Sequence, residues 1–405
     1  MRAHPFASLF AASLILLAPV HAVAQEPDDS VSVRERARPD YDPLGLRFGG
    51  FDLNASLDFG VASTDNLFAA ETGEQDDMIY RVSPSARLSS HWSRHAISVE
   101  AGATFKSHED FSSEDADTGY VAAAGRLDVG SNTNVFGRVS LAQDVESRAD
   151  PDALTFNEPV EFSRDEGVIG VQHTFNRWRL RGTYAQVQYD YDDAGGFDQD
   201  FRDSEETSFT GRVEAELTPR LSAVFQARVD ERDYDNAPGL NSEGETYLAG
   251  VGINFTDLMR GEITVGQFNR DYDSGIDVDG VAVAGNLEWY ITRLTTITLN
   301  GSRGAEDTGA TTPLPYVESQ YGVRVDHELL RNVILTAGVQ MGRRDYELID
   351  REDEYRAFEV GVEYLVNRRL ALRAGYNYDE TDSNGLNRYR DFEQNVLSLG
   401  ISLRL

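Results

Sequence analysis

From Phe48 to Leu405 apolar and polar residues alternate one by one, in segments whose connectors are short and long in turn. In the last segment Leu397, Leu399, Ile401, Leu403 and Leu405 share one face, while Ser398, Gly400, Ser402 and Arg404 share the other. The same rule sets Phe358, Val360, Val362 and Tyr364 against Glu359, Gly361 and Glu363, and Phe51, Leu53, Ala55, Leu57 and Phe59 against Asp52, Asn54, Ser56 and Asp58. A period of two belongs to a strand and not to a helix. Strands of soluble sheets run mostly five or six residues, and these segments are at least twice that length. A strand crossing a bilayer obliquely needs about nine to eleven. In hydrocarbon every backbone donor and acceptor must be paired, so strands can cross only as a closed cylinder without edges.

The pattern therefore predicts an all-β fold, a transmembrane antiparallel up-and-down β-barrel of about 18 strands. The expected cores are 48-62, 77-90, 95-107, 117-130, 135-147, 164-176, 178-192, 204-217, 221-235, 242-255, 261-273, 278-290, 294-306, 316-329, 332-345, 354-366, 369-381 and 392-405. Connectors after Leu88, Gly130, Phe175, Leu217, Phe255, Tyr290, Leu329 and Val366 are tight, as periplasmic turns are. The connectors between them, such as 71-77, 147-163 and 192-203, are longer and acidic, and should be extracellular loops. Tyr189, Tyr191, Tyr234, Tyr272, Tyr346, Tyr376 and Tyr378 recur near the long-loop ends and are expected to form an aromatic girdle in the membrane interface. Two features depart from the scheme. Pro84 lies within the second segment, where a bulge is expected, and Gln186 shares the face of Leu180 and Tyr184, which suggests a change of register.

Ahead of the alternating region, residues 1-24 carry a cationic start at Arg2, an apolar run from Phe6 to Val20 and the small-x-small step Ala22-Val23-Ala24. This is the layout of a cleaved signal peptide. Residues 25-46 are charged, bear proline and lack an apolar period, so they read as a flexible periplasmic leader, with the barrel occupying 47-405.

Composition narrows the chemistry. The chain has 37 Lys+Arg against 69 Asp+Glu, a formal net charge of -32, and no cysteine. Disulfide and thiolate chemistry are thereby excluded, and so acidic a chain is a poor partner for nucleic acid or an anionic lipid surface. Lys106 is the only lysine, so a polylysine patch cannot exist. His91 and His95 are four apart but flank a turn, and no catalytic or metal-binding spacing appears; neither a cofactor nor an enzymatic activity is expected. Acidic stretches such as Asp190–Asp193 read first as solvated loop charge.

The polar face carries more information. If it points inward, Arg81, Arg87, Arg138, Arg212, Arg228, Arg324, Arg373, Glu214, Glu359 and Glu363 are pore-lining candidates, with Glu100, Glu216, Glu288 and Arg404 beside them. At about 18 strands a polar lining implies a water-filled bore unless loops fold into it.

The stretch from Arg38 to Ala69, with its DPLG-x-R opening at Asp42 to Arg47 and the TDN at Thr64 to Asn66, and the SHWSRH turn at Ser90 to His95 resemble the putative outer-membrane β-barrel porin 2 family of Gram-negative bacteria. That resemblance implies a barrel in the cell outer membrane, associated with exopolysaccharide or capsule export, and brings no catalytic residues. The expected function is a passive aqueous conduit for exopolysaccharide; a general or solute-specific diffusion porin and a plugged structural or adhesive barrel are the alternatives. Expected partners are outer-membrane lipid and lipopolysaccharide, the barrel assembly machinery and periplasmic polysaccharide-export proteins.

Overall fold

The computed structural model describes residues 31–150, 153, 158–255, 258–307 and 314–405; the expected signal peptide lies outside them. The strands are β1 (Leu46–Phe48), β2 (Phe51–Thr64), β3 (Asp77–Ser90), β4 (Ala96–His108), β5 (Ala116–Val129), β6 (Thr133–Val145), β7 (Glu161–Phe175), β8 (Trp178–Tyr191), β9 (Ser204–Thr218), β10 (Leu221–Tyr234), β11 (Ser242–Phe255), β12 (Met259–Tyr272), β13 (Asp277–Thr292), β14 (Thr295–Glu306), β15 (Tyr316–Leu330), β16 (Val333–Tyr346), β17 (Glu352–Asn367), β18 (Leu370–Asn384) and β19 (Phe392–Arg404). Each of β2 to β19 pairs antiparallel with its neighbours in sequence. The pairing of β19 with β2, from Val396↔Thr64 to Arg404↔Ser56, closes a ring of eighteen. The short β1 then takes up the edge of β2 that β19 leaves, with Leu46 opposite Leu53. A closed antiparallel β-barrel thus matches the expectation from alternation. Among the described residues no helix is long and apolar enough to cross a membrane, which says nothing about strands.

Residues opposite one another in an antiparallel ladder share a face. Following Leu399↔Val61, Val61↔Tyr80 and so on round the ring keeps the apolar set outside throughout. Val139, Ile169, Val265, Val281, Val360 and Leu397 are each more than half exposed, as a belt facing acyl chains should be. Connectors at one end are tight: Asn176-Arg177, Pro219-Arg220, Arg293-Leu294, Arg331-Asn332 and Arg368-Arg369 join their strands in two residues. At the turn between β5 and β6, Gly130 takes φ +67°, a conformation that costs glycine nothing. The long connectors lie at the other end.

The two expected irregularities resolve differently. Pro84 causes no bulge: the β3 to β4 ladder merely lapses between Val82↔Phe105 and Ser85↔Gly102, and the register is the same on both sides. The missing amide is tolerated because Ser83 and Thr104 join their hydroxyls at 3.0 Å across the gap. Nor does β8 shift register; it runs in one register against both β7 and β9, and Gln186 simply lies on the outer face.

One departure from a regular cylinder was not legible in the alternation. The β13 to β14 ladder ends at Val283↔Arg303, although β14 continues to Glu306 in partnership with β15. Beyond that point the β14–β15 hairpin leans inward. Val317 and Ala305 pack on Leu248, Phe268, Val278 and Ala282, which lie on the inner face of β11 to β13. Asp307 reaches both Arg232 on β10 and Tyr272 on β12.

Candidate functional site

The site to consider is the inner wall. By the register of the ladders the ten expected lining residues share the face opposite the apolar belt. Arg324 bonds Glu359 at 2.7 Å, Arg179 bonds Glu214 at 3.0 Å, and Arg373 bridges Glu363 at 3.1 Å and Asp58 at 3.0 Å. Arg212 pairs with Glu262 and Arg228 with Glu206. Arg87 and Arg138 share Glu100, each at 2.9 Å and each taking one carboxylate oxygen. Arg81 stands opposite Lys106 in the β3 to β4 ladder. Most of these partners sit on adjacent or next-but-one strands, because inward residues of neighbouring strands come within side-chain reach.

The charges are not evenly spread. The inner face of β3 to β8 holds eight cations (Arg81, Arg87, Lys106, Arg126, Arg138, Arg164, Arg179, Arg181) and five acids (Asp77, Glu100, Asp128, Asp144, Glu166). The inner face of β13 to β18 holds nine acids (Glu288, Glu306, Glu318, Asp326, Glu328, Asp353, Glu359, Glu363, Asp379) and three cations (Arg324, Arg344, Arg373). In a ring of eighteen these two arcs face each other across the bore. Arg181 and Lys106 make no ion pair among the described residues, and Arg181 lies over the Phe136 ring at 4.5 Å.

The expected tyrosine girdle needs correction. Only Tyr376 and Tyr378 of that set face outward. Tyr191 stacks on Phe162 beneath Arg202, Tyr272 bonds Asp307, and Tyr346 donates to Asp353, so all three point inward; Tyr189 and Tyr234 share that face with Arg181 and Arg228. Parity carried the signal, since each of these five follows an inward arginine by an even number of residues. The three tryptophans, Trp92, Trp178 and Trp289, lie instead at the short-turn end, each more than a third exposed.

At that end the leader lies against the inner wall. Residues 31–42, expected to be flexible, have a defined place along the wall. Val33 is fully buried with Ile334, Leu365 and Ala371, and its amide donates to Thr296 Oγ1 at 3.0 Å. Arg34 bonds Asp326 at 2.7 Å, and Glu328 takes Arg36 at 3.4 Å and the fully buried Arg38 at 3.0 Å. No partner for these arginines was visible along the chain, because Asp326 and Glu328 lie some three hundred residues away.

At the opposite end the long connectors knit together. Arg148 pairs with Glu114, Arg202 with Glu146 and Arg388 with Glu71, and Tyr389 donates to the Ala153 carbonyl. Asp193, Asp198 and Asp200 bring their carboxylates within 4.8 Å of one another on an exposed loop. The Asp198 charge holds the Asp200 carboxyl above its ordinary value.

A closed sheet with an apolar outside and a charged inside is the architecture of outer-membrane channels. The family model described as putative beta-barrel porin 2 matches residues 38–405. This chain belongs to that family. It is a porin-like β-barrel channel of the outer membrane. No curated protein matches it. Solved structures similar to this porin include OpdK of Pseudomonas aeruginosa (13% identity, 87% of this chain and 99% of that one, TM-score 0.47). OccAB2 of Acinetobacter baumannii is similar at 13% identity, over 88% and 98%, with a TM-score of 0.48. OccK2 (OpdF) of Pseudomonas aeruginosa is similar at 12%, over 87% and 98%, with a TM-score of 0.49. The architecture of this porin rests on its own ladder of pairings.

Proposed function

We propose that this porin is a passive diffusion channel for small hydrophilic solutes and favours those carrying both charges. The observation that carries this reading is the opposition of the two arcs, a cation-rich wall on β3 to β8 facing a wall on β13 to β18 whose nine acids still outnumber its three cations together with the leader's Arg34, Arg36 and Arg38, which cover Asp326 and Glu328. Opposite charge on facing walls makes a field across the bore. A dipolar solute can align with that field, whereas a neutral one of equal size must displace ordered water with nothing in return.

Exopolysaccharide export, which family membership suggests, is the second reading. The inward Tyr120, more than a third exposed, and Phe136 offer it some support, because ring faces suit sugar.

Purified protein in planar bilayers should give stable conductance. Liposome swelling should then be faster with a zwitterionic amino acid than with a neutral sugar alcohol of the same size. Absence of conductance ends the channel reading for solutes of either kind. Equal swelling rates remove the preference for dipolar solutes, and loss of surface polysaccharide on gene deletion favours export.

A further inference from the structure

The net charge of this chain hides a segregation by end. The five two-residue turns carry six arginines, Arg177, Arg220, Arg293, Arg331, Arg368 and Arg369, and no acid. All six are exposed. The guanidinium groups of Arg177, Arg220, Arg331 and Arg369 make no hydrogen bond or ion pair with any described residue. Loop arginines at the opposite end behave otherwise: Arg148, Arg202, Arg351 and Arg388 each have a carboxylate partner.

Position matters as much as charge. Leu217 and Leu221 bracket Pro219-Arg220, Phe175 and Trp178 bracket Asn176-Arg177, and Leu329 and Leu330 run into Arg331, all six apolar side chains outward or at the rim and more than a third exposed. The acyl-facing belt therefore runs right up to the turns, and the arginines stand at the depth of the lipid head groups. An arginine fork there matches a phosphate in geometry and charge, and its aliphatic stem can lie along the apolar border.

We propose that this ring of turn arginines is a binding collar for anionic phospholipid head groups. The turns are periplasmic by their length, so the lipid is that of the inner leaflet. The overall acidity, which by itself predicts indifference to anionic lipid, resides mostly in the bore and the long loops. The inference rests on the reading of this chain as a membrane-embedded barrel but not on what passes through it.

The test is refolding into phosphatidylcholine vesicles with and without phosphatidylglycerol, using wild type and Arg177→Gln/Arg220→Gln/Arg331→Gln/Arg369→Gln. Phosphatidylglycerol should raise the folded-to-unfolded ratio of wild type several-fold in urea titrations, and high salt should erase most of the gain by screening. The variant should match wild type in pure phosphatidylcholine and show no response to phosphatidylglycerol. An undiminished response in the variant, or equal losses in both lipids, overturns the proposal. If the fourfold variant does not fold, native mass spectrometry of the single variant Arg331→Gln decides: fewer retained phosphatidylglycerol molecules than wild type supports the collar, and equal retention overturns it. Capture of soluble acidic glycan with no lipid dependence also overturns it, in favour of a cell-wall contact. Wild-type conductance measured in the same vesicles tests the channel reading separately.

Discussion

Glu100 is the sharpest place to perturb the inner wall. It lies on β4 with its side chain only 4% exposed and gives one carboxylate oxygen to Arg87 and the other to Arg138, both at 2.9 Å. Glu100→Gln keeps the shape. The amide oxygen can still accept from one guanidinium, but the amide nitrogen then faces the other, donor against donor. Two charges about 4 Å apart attract by about 1 kcal/mol in water and about 4 kcal/mol at an effective dielectric constant of 20. The arginines are 30% and 27% exposed, so the wall stands between these limits, and relief from desolving the carboxylate offsets part of the loss. The expected net cost is about 2 kcal/mol. It is read as a lower urea midpoint of the barrel refolded in vesicles. The same substitution removes one of five acids from an arc with eight cations, so the reversal potential in a salt gradient should move toward anion preference. A second change, Arg87→Gln, should bring the reversal potential back without restoring full stability. A reversal potential indifferent to Glu100→Gln refutes the idea that this arc borders the current path.

Further outcomes follow from other parts of the barrel. Val139→Arg, on the lipid face near the middle of β6, should cost about 2–4 kcal/mol in vesicles, while Ser140→Arg, one residue on and facing the bore, should cost far less; similar costs would mean that inside and outside have been exchanged. Asp326→Asn with Glu328→Gln removes the acids that hold Arg34, Arg36 and Arg38, so the leader should leave the short-turn mouth and unit conductance should rise; unchanged conductance would place residues 31–42 clear of the pathway. Gly342→Ala sets a methyl group into the ring of Tyr355, whose hydroxyl bonds Glu318 at 3.1 Å and whose face lies 4.5 Å from Arg344; the expected loss is about 1–3 kcal/mol, measured as a fall in urea midpoint. Asp307→Asn weakens the pin from the β14–β15 hairpin to Arg232 and should enlarge single-channel current, with no change expected if the hairpin tip lies outside the bore's narrowest part.

What the sequence determined by itself is the cylinder and its two faces. Strict alternation over long segments leaves one solution in lipid, and a slip of one residue would put Arg373 or Glu359 into hydrocarbon, so the strand number, the approximate strand limits and the two faces were readable, although the bulge expected at Pro84 and the register change expected at Gln186 are not there. Even the five tyrosines assigned outward could have been placed by parity with Arg181, Arg228, Arg270 or Arg344. What only tertiary structure decided involves residues far apart in the chain. The docking of Arg38 on Glu328 depends on a wall strand 290 residues later, and the inward lean of the β14–β15 hairpin depends on apolar residues of β11 to β13 that a straight strand would leave facing water. The opposition of charged arcs and the collar of turn arginines likewise exist only once the ring is closed. Alternation is local, fixed by backbone geometry and solvent, whereas which wall faces which is set by closure, and no window of sequence contains it.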